Sequence, residues 1–129
     1  MQKEKIYRLS RKDKKRQEEL FTLNKILSKC EKNEWKEIGL TTSSKNYRGI
    51  EQIAALLNEF AKKRKNVLEF EELKPVAFFA DALEQAKKKD CIILVESYGE
   101  TFYAELDKCS ALLKEYNIPV MGVINYKKG

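Results

Sequence analysis

A chain of 129 residues with 26 Lys+Arg, 20 Asp+Glu and no histidine amounts to one domain, long enough to bury a core without disulfide or metal staples. The missing histidine excludes Ser-His-Asp triads and His-ligated zinc, and no apolar run approaches the ~20 residues that span a bilayer. The net charge of +6 is uneven: residues 1–16 hold Lys3, Lys5, Arg8, Arg11, Lys12, Lys14, Lys15 and Arg16 against Glu4 and Asp13, and the remaining charges cancel.

The high pI therefore belongs to a basic arm, residues 1–16, ahead of a single α/β domain, residues 17–129. Such an arm suits anionic lipid or nucleic acid; a solubilising terminus is the plain alternative. The N-terminus is basic without an apolar stretch, so no secretory signal is expected. Cys30, Cys91 and Cys109 show neither metal-ligand nor CxxC spacing and fall on apolar faces, which reads as reduced core thiols.

In chain order, Leu20, Leu23, Leu27 and Cys30 mark an amphipathic helix over about 13–30, beginning near Asp13. Residues 35–41 (WKEIGLT) read as a strand and 42–47 (TSSKNY) as a polar loop. Ile50, Ile53, Ala54, Leu57 and Ala61 give a helical face over about 48–64, closed by cations at the negative end of the helix dipole. Residues 67–70 (VLEF) read as an edge strand. Pro75 is then expected to open a helix from the N1 position, burying Val76, Phe79, Ala80, Leu83 and Ala86. Residues 91–96 read as a strand buried on both faces, built on the unbroken apolar run from Cys91 to Val95. Phe102, Leu106, Cys109, Leu113 and Tyr116 define the next helix. Asn117-Ile118-Pro119 stops it, and 120–125 is the last strand. Strands alternating with helices predict a parallel sheet covered on both faces.

In such a sheet a ligand site lies at the carboxyl ends of the strands, where strand order reverses. The loop after the first strand, Thr42-Ser43-Ser44-Lys45-Asn46-Tyr47-Arg48-Gly49, stands there. A nucleotide-binding loop would read GxxxxGK[ST], with glycines that let backbone N–H groups wrap phosphate, a lysine for the β/γ phosphates and a hydroxyl for Mg²⁺. Here no glycine precedes Arg48, and Ile50 offers no hydroxyl.

The segment PVAFFADALEQAKKKDCIILVESYGETFYAELDKCSALLKEYNIPVMGVIN resembles the C-terminal half of the cytoplasmic domain of bacterial tyrosine kinases (BY-kinases), P-loop proteins linked to capsule and exopolysaccharide export. Pro75-Val76, Ala80-Asp81-Ala82, Gly99-Glu100-Thr101 and Ile118–Asn125 carry the likeness. IGLTTSSKNYRGIEQIAALLNEFAKKRKNVLEF resembles the family's first strand, P-loop, first helix and second strand. The resemblance implies a degenerate P-loop fold in which Thr42, Ser43, Ser44, Lys45, Arg48 and Gly49 are the remnant of the nucleotide loop and Asn125 a remnant on the adenine side.

The departures from that family are as informative. Arg48 stands for the Walker lysine, and Gly49-Ile50 for the Ser/Thr pair. Between Phe70 and Pro75 there is no room for the Walker carboxylates or their strand. Phe21 and Asn24 replace the arginines of the oligomer-forming helix, and no tyrosine cluster follows Tyr126. Phosphoryl transfer without these groups lacks positioning and charge neutralisation.

The resemblance therefore implies a catalytically inactive module without cofactor or metal. Its expected role is regulatory or adaptor, bound to a membrane polysaccharide co-polymerase or another export component. The expected place is cytoplasmic, at the inner face of the plasma membrane, with oligomerisation left open. The alternative is a nucleic-acid or anionic-membrane binder acting through residues 1–16. With the Walker-carboxylate strand removed from the parent fold, the expected order is 67–70, 35–41, 91–96, 120–125, all parallel.

Overall fold

The computed structural model of the chain describes residues 10–45, 49–97 and 103–126. Within them the elements are α1 (Arg11–Asn33), β1 (Glu37–Thr41), α2 (Ile50–Lys63), β2 (Glu69–Glu72), α3 (Ala80–Lys87), β3 (Cys91–Ser97), α4 (Tyr103–Glu115) and β4 (Val120–Tyr126). The four strands form one sheet in the order β2-β1-β3-β4, and every pair is parallel, in agreement with the expected order. Two apolar layers hold it. Leu23, Ile26, Leu27 and Cys30 of α1 and Ile50, Ala54, Leu57 and Ala61 of α2 pack with Ile38, Leu40, Ile93 and Val95 on one face. Ala82 and Ala86 of α3 and Cys109 and Leu113 of α4 pack with Ile92 and Leu94 on the other. Alternation along β3 sends odd residues to the first layer and even ones to the second, so all seven of its residues are buried.

Several boundaries differ from expectation: α1 runs on to Asn33, β1 starts at Glu37 rather than Trp35, and three further differences have a local reason. α1 begins at Arg11 rather than Asp13 because Ser10 caps it. The Asp13 N–H donates to Ser10 Oγ at 3.1 Å, and the Ser10 hydroxyl donates to the Asp13 carboxylate at 2.7 Å. β2 lies two residues later than 67–70, and Val67 is 85% exposed. Asn58 sets this position: its side-chain amide donates to the Phe70 carbonyl and accepts the Phe70 N–H, both at 2.8 Å, so Phe70 becomes the buried residue of the strand.

Pro75 opens a turn, not a helix, with Phe78 N–H and Phe79 N–H both donating to its carbonyl at 3.0 Å. Thr41 ties that turn to the end of β1, its hydroxyl donating to the Lys74 carbonyl at 2.9 Å and accepting the Val76 N–H at 3.3 Å. The helix waits until Ala80, so Phe79 and Ala80 are exposed, and Ala82 joins Ala86 in the core. Tyr116, expected on a buried face, is likewise exposed, while Phe102 lies outside the described residues.

Helices α1, α2 and α4 end alike, with a non-glycine residue in the left-handed region: Glu34 (φ 57°), Lys65 (φ 56°) and Asn117 (φ 56°). In each case the following N–H reaches back to a helix carbonyl: Trp35 to Cys30, Asn66 to Ala61 and Ile118 to Leu113, each at 2.9 Å. Glycine adopts this conformation without the steric cost that a Cβ brings. Lys65→Gly is therefore expected to stabilise the fold by up to about 1 kcal/mol, read as a higher midpoint in thermal unfolding. A lower midpoint would mean that the Lys65 side chain does more than tolerate its backbone.

Asp90 fastens the start of β1. Its carboxylate accepts Lys36 N–H at 2.8 Å and Glu37 N–H at 2.9 Å, and these two backbone donors hold its pKa below the ordinary aspartate value. Gly39, in the middle of β1, has no room for a side chain: a Cβ there would come within 2.7 Å of Ile92 Cδ1 and 2.8 Å of Leu73 Cδ1.

Candidate functional site at the strand ends

The connection leaving β1 runs to β2 on one side, and the connection leaving β3 runs to β4 on the other. Strand order thus diverges at the β1–β3 pair, and the carboxyl ends of those two strands frame the crevice where sheets of this kind take ligands. The residues gathered there are polar and buried: Thr41, Thr42, Ser43, Ser44, Glu96 and Ser97.

Glu96 organises them. Its side chain is 2% exposed. One carboxylate oxygen accepts the Ser43 N–H at 2.9 Å, and the other accepts the Thr42 hydroxyl at 3.0 Å. The Thr42 oxygen in turn accepts the Ser44 N–H at 3.3 Å. A carboxylate out of water is tolerated only with such partners. The Ser43 and Ser97 hydroxyls, buried beside it, meet no hydrogen-bond partner among the described residues.

Of the loop residues singled out in the sequence, Thr42, Ser43 and Ser44 come together at Glu96. Lys45 is exposed, its ammonium 5.4 Å from the centre of the Phe78 ring. Gly49 is the N-cap of α2 at φ 90°, with no side-chain cap hydrogen bond. Arg48 lies outside the described residues. Asn125 sits on β4 in register with Glu96 and is exposed.

In the basic arm, Lys3, Lys5 and Arg8 lie outside the described residues. Arg11, Lys12, Lys14, Lys15 and Arg16 occupy the first two turns of α1, all exposed. The division at residue 16 falls inside α1. None of the five joins an ion pair among the described residues, and they stand at the positive end of the helix dipole, where cations are disfavoured.

Glu96 is the residue that pattern reading missed. Its signal is slight: one carboxylate closing an otherwise apolar strand, at the strand end that faces the crevice. Periodicity places it on a buried face but says nothing of its partners.

The three cysteines are free and buried. Burial is the main cause that pushes the thiols of Cys30 and Cys109 up to about 11 and that of Cys91 to about 12. They should resist a thiol reagent in the native chain at pH 8 and react stoichiometrically in urea. Because the folded values lie above the ordinary 9.0, this stabilising contribution is full below pH 9. It should fall between about pH 9 and 12 as unfolded thiols ionise first. Native reactivity at pH 8 would contradict their burial.

Among the described residues no group of three or more His, Cys, Asp or Glu is placed to hold a metal ion, and no helix is long and apolar enough to cross a membrane. Comparison with protein-family models, with curated proteins and with solved structures finds no match to the chain.

Proposed function

We propose that this chain is a catalytically inactive, BY-kinase-like module that binds a protein partner. Its role is regulatory or adaptor in capsule or exopolysaccharide assembly or export, at the cytoplasmic face of the membrane. One observation carries the inactive half of that reading: the buried Glu96 carboxylate stands among the donors a nucleotide loop would direct at phosphate. A phosphate loop works because backbone N–H groups and hydroxyls converge on an anion. Here the Ser43 N–H and the Thr42 hydroxyl converge on an anion the chain supplies itself.

The all-parallel sheet diverging at the β1–β3 pair supports the kinship at the level of topology, and the sequence resemblance supplies the assignment to polysaccharide export. Titration calorimetry with Mg²⁺-ATP is expected to give no binding heat at micromolar concentrations. Micromolar, magnesium-dependent binding would overturn the inactive reading. A pull-down from the native host, with and without residues 1–16, tests the partner. Polysaccharide-assembly proteins retained in both support the proposal.

A second reading rests on the five exposed cations in the first turns of α1. Held there against the helix dipole, they suit a polyanionic surface, nucleic acid or anionic lipid. Such binding falls steeply with salt and disappears in a chain that starts at Gln17. Equal binding by both chains would dismiss this reading.

A further inference from the structure

The two edges of the sheet are unlike. β2 carries Glu69, Glu71 and Glu72 among four residues, the kind of charged edge with which sheets deter foreign strands. β4, at the other edge, reads VMGVINY, seven residues with neither charge nor proline. No further strand pairs with it among the described residues.

Its two faces offer different chemistry. Val120 and Val123 are 38% and 45% exposed and lie in register with Ile92 and Leu94, on the α3–α4 face. On the other face Gly122 lies in register with Ile93, and a Cβ added to it would meet nothing within 4 Å. That space is part of a hollow of about 170 Å³ between α1 and β4, whose charged groups are Lys25 and Lys29. Lys29 is anchored where the β3–β4 register shifts, its ammonium donating to the Met121 carbonyl at 3.1 Å. Lys25 is exposed and joins no ion pair among the described residues. On the α4 side, the charged group beside Pro119 and Val120 is Lys114. Both flanks of the edge are therefore positive.

We propose that β4 takes a fifth strand from a partner protein: an extended acidic segment in which carboxylates alternate with β-branched residues. Main-chain pairing along a free edge gives such a contact its affinity, and alternate side chains give it selectivity. The period of two sets every second residue over the lysines of α1 and the others against Val120 and Val123. Charge complementarity selects an acidic segment over a neutral one. The same lysines disfavour a second copy of this chain, since antiparallel pairing of two β4 strands would crowd Lys25 and Lys29 of both copies over one face. The proposal is independent of the reading of Glu96 and its loop.

The test uses the full chain labelled with ¹⁵N and a capped heptapeptide of alternating Glu and Val, with a Lys-Val heptapeptide as control. The Glu-Val peptide is expected to slow hydrogen exchange of the outward-facing amides within Val120–Tyr126 and to bind more weakly as salt rises. Lys25→Glu, a change on an exposed helical position, should weaken that binding several-fold while leaving the thermal midpoint in place. The Lys-Val peptide should leave β4 unchanged. Unaltered exchange at millimolar Glu-Val peptide overturns the proposal, as does equal binding of both peptides. Sedimentation showing a dimer in which the same amides are already protected would also overturn it, in favour of a second copy.

Discussion

Glu96→Ala is expected to lose about 3 kcal/mol of folding stability, and Glu96→Gln about 1 kcal/mol, measured by urea unfolding followed through Trp35 fluorescence. Alanine deletes both acceptors, leaving the Ser43 N–H and the Thr42 hydroxyl buried without their partner. A buried donor left unmatched costs about 1–3 kcal/mol, and the emptied space adds to it. Glutamine keeps the volume and one acceptor. Its oxygen can take the Ser43 N–H while its amide donates to the Thr42 oxygen. Equal losses in the two variants would show that the second carboxylate oxygen, not the filled volume, carries the effect. A stabilised Glu96→Ala would show that the charge is a burden retained for something other than folding.

Gly39→Val is expected to destabilise by about 3 kcal/mol or more, and Gly39→Ala by about 1–3 kcal/mol, the range for overpacking a close-packed core. The cause is contact, not backbone freedom. The added carbon would press on Ile92 Cδ1 and Leu73 Cδ1, the ends of side chains that are themselves fully buried. If that account holds, Gly39→Ala combined with Leu73→Val should cost less than the sum of the two single changes in thermal unfolding. Strict additivity would place the strain elsewhere.

The parts of the fold legible in the sequence are those where one pattern dominates. The apolar run from Cys91 to Val95 and the 50–61 helical face each admit one reading, and they fall where expected. The strand order agrees with the one expected from the proposed resemblance with its missing section removed. What escaped were positions set by a single side chain acting at a distance. Val67 and Leu68 look like strand residues, but Asn58 pins Phe70 and draws the strand two residues on. Pro75 looks like a helix start, but the Thr41 hydroxyl holds its neighbours in a turn. At the candidate site, Thr42 to Ser44 stood out through their place after the first strand. Glu96 did not, because its partners lie 53 and 54 residues away in the chain.

That separation has a kinetic side. β1-α2-β2 and β3-α4-β4 each close a strand pair over a clearly shorter stretch of chain, Glu37 to Glu69 and Ile92 to Val120, so each unit loses less loop entropy in forming than the β1–β3 pair does. The expected route has the two halves meeting late, along the β1–β3 junction. The Glu96 bonds to Thr42 and Ser43 cross that junction at its far end and latch one half to the other. If so, Glu96→Gln should mainly accelerate unfolding and leave the refolding rate nearly unchanged, the mark of a contact made after the rate-limiting step.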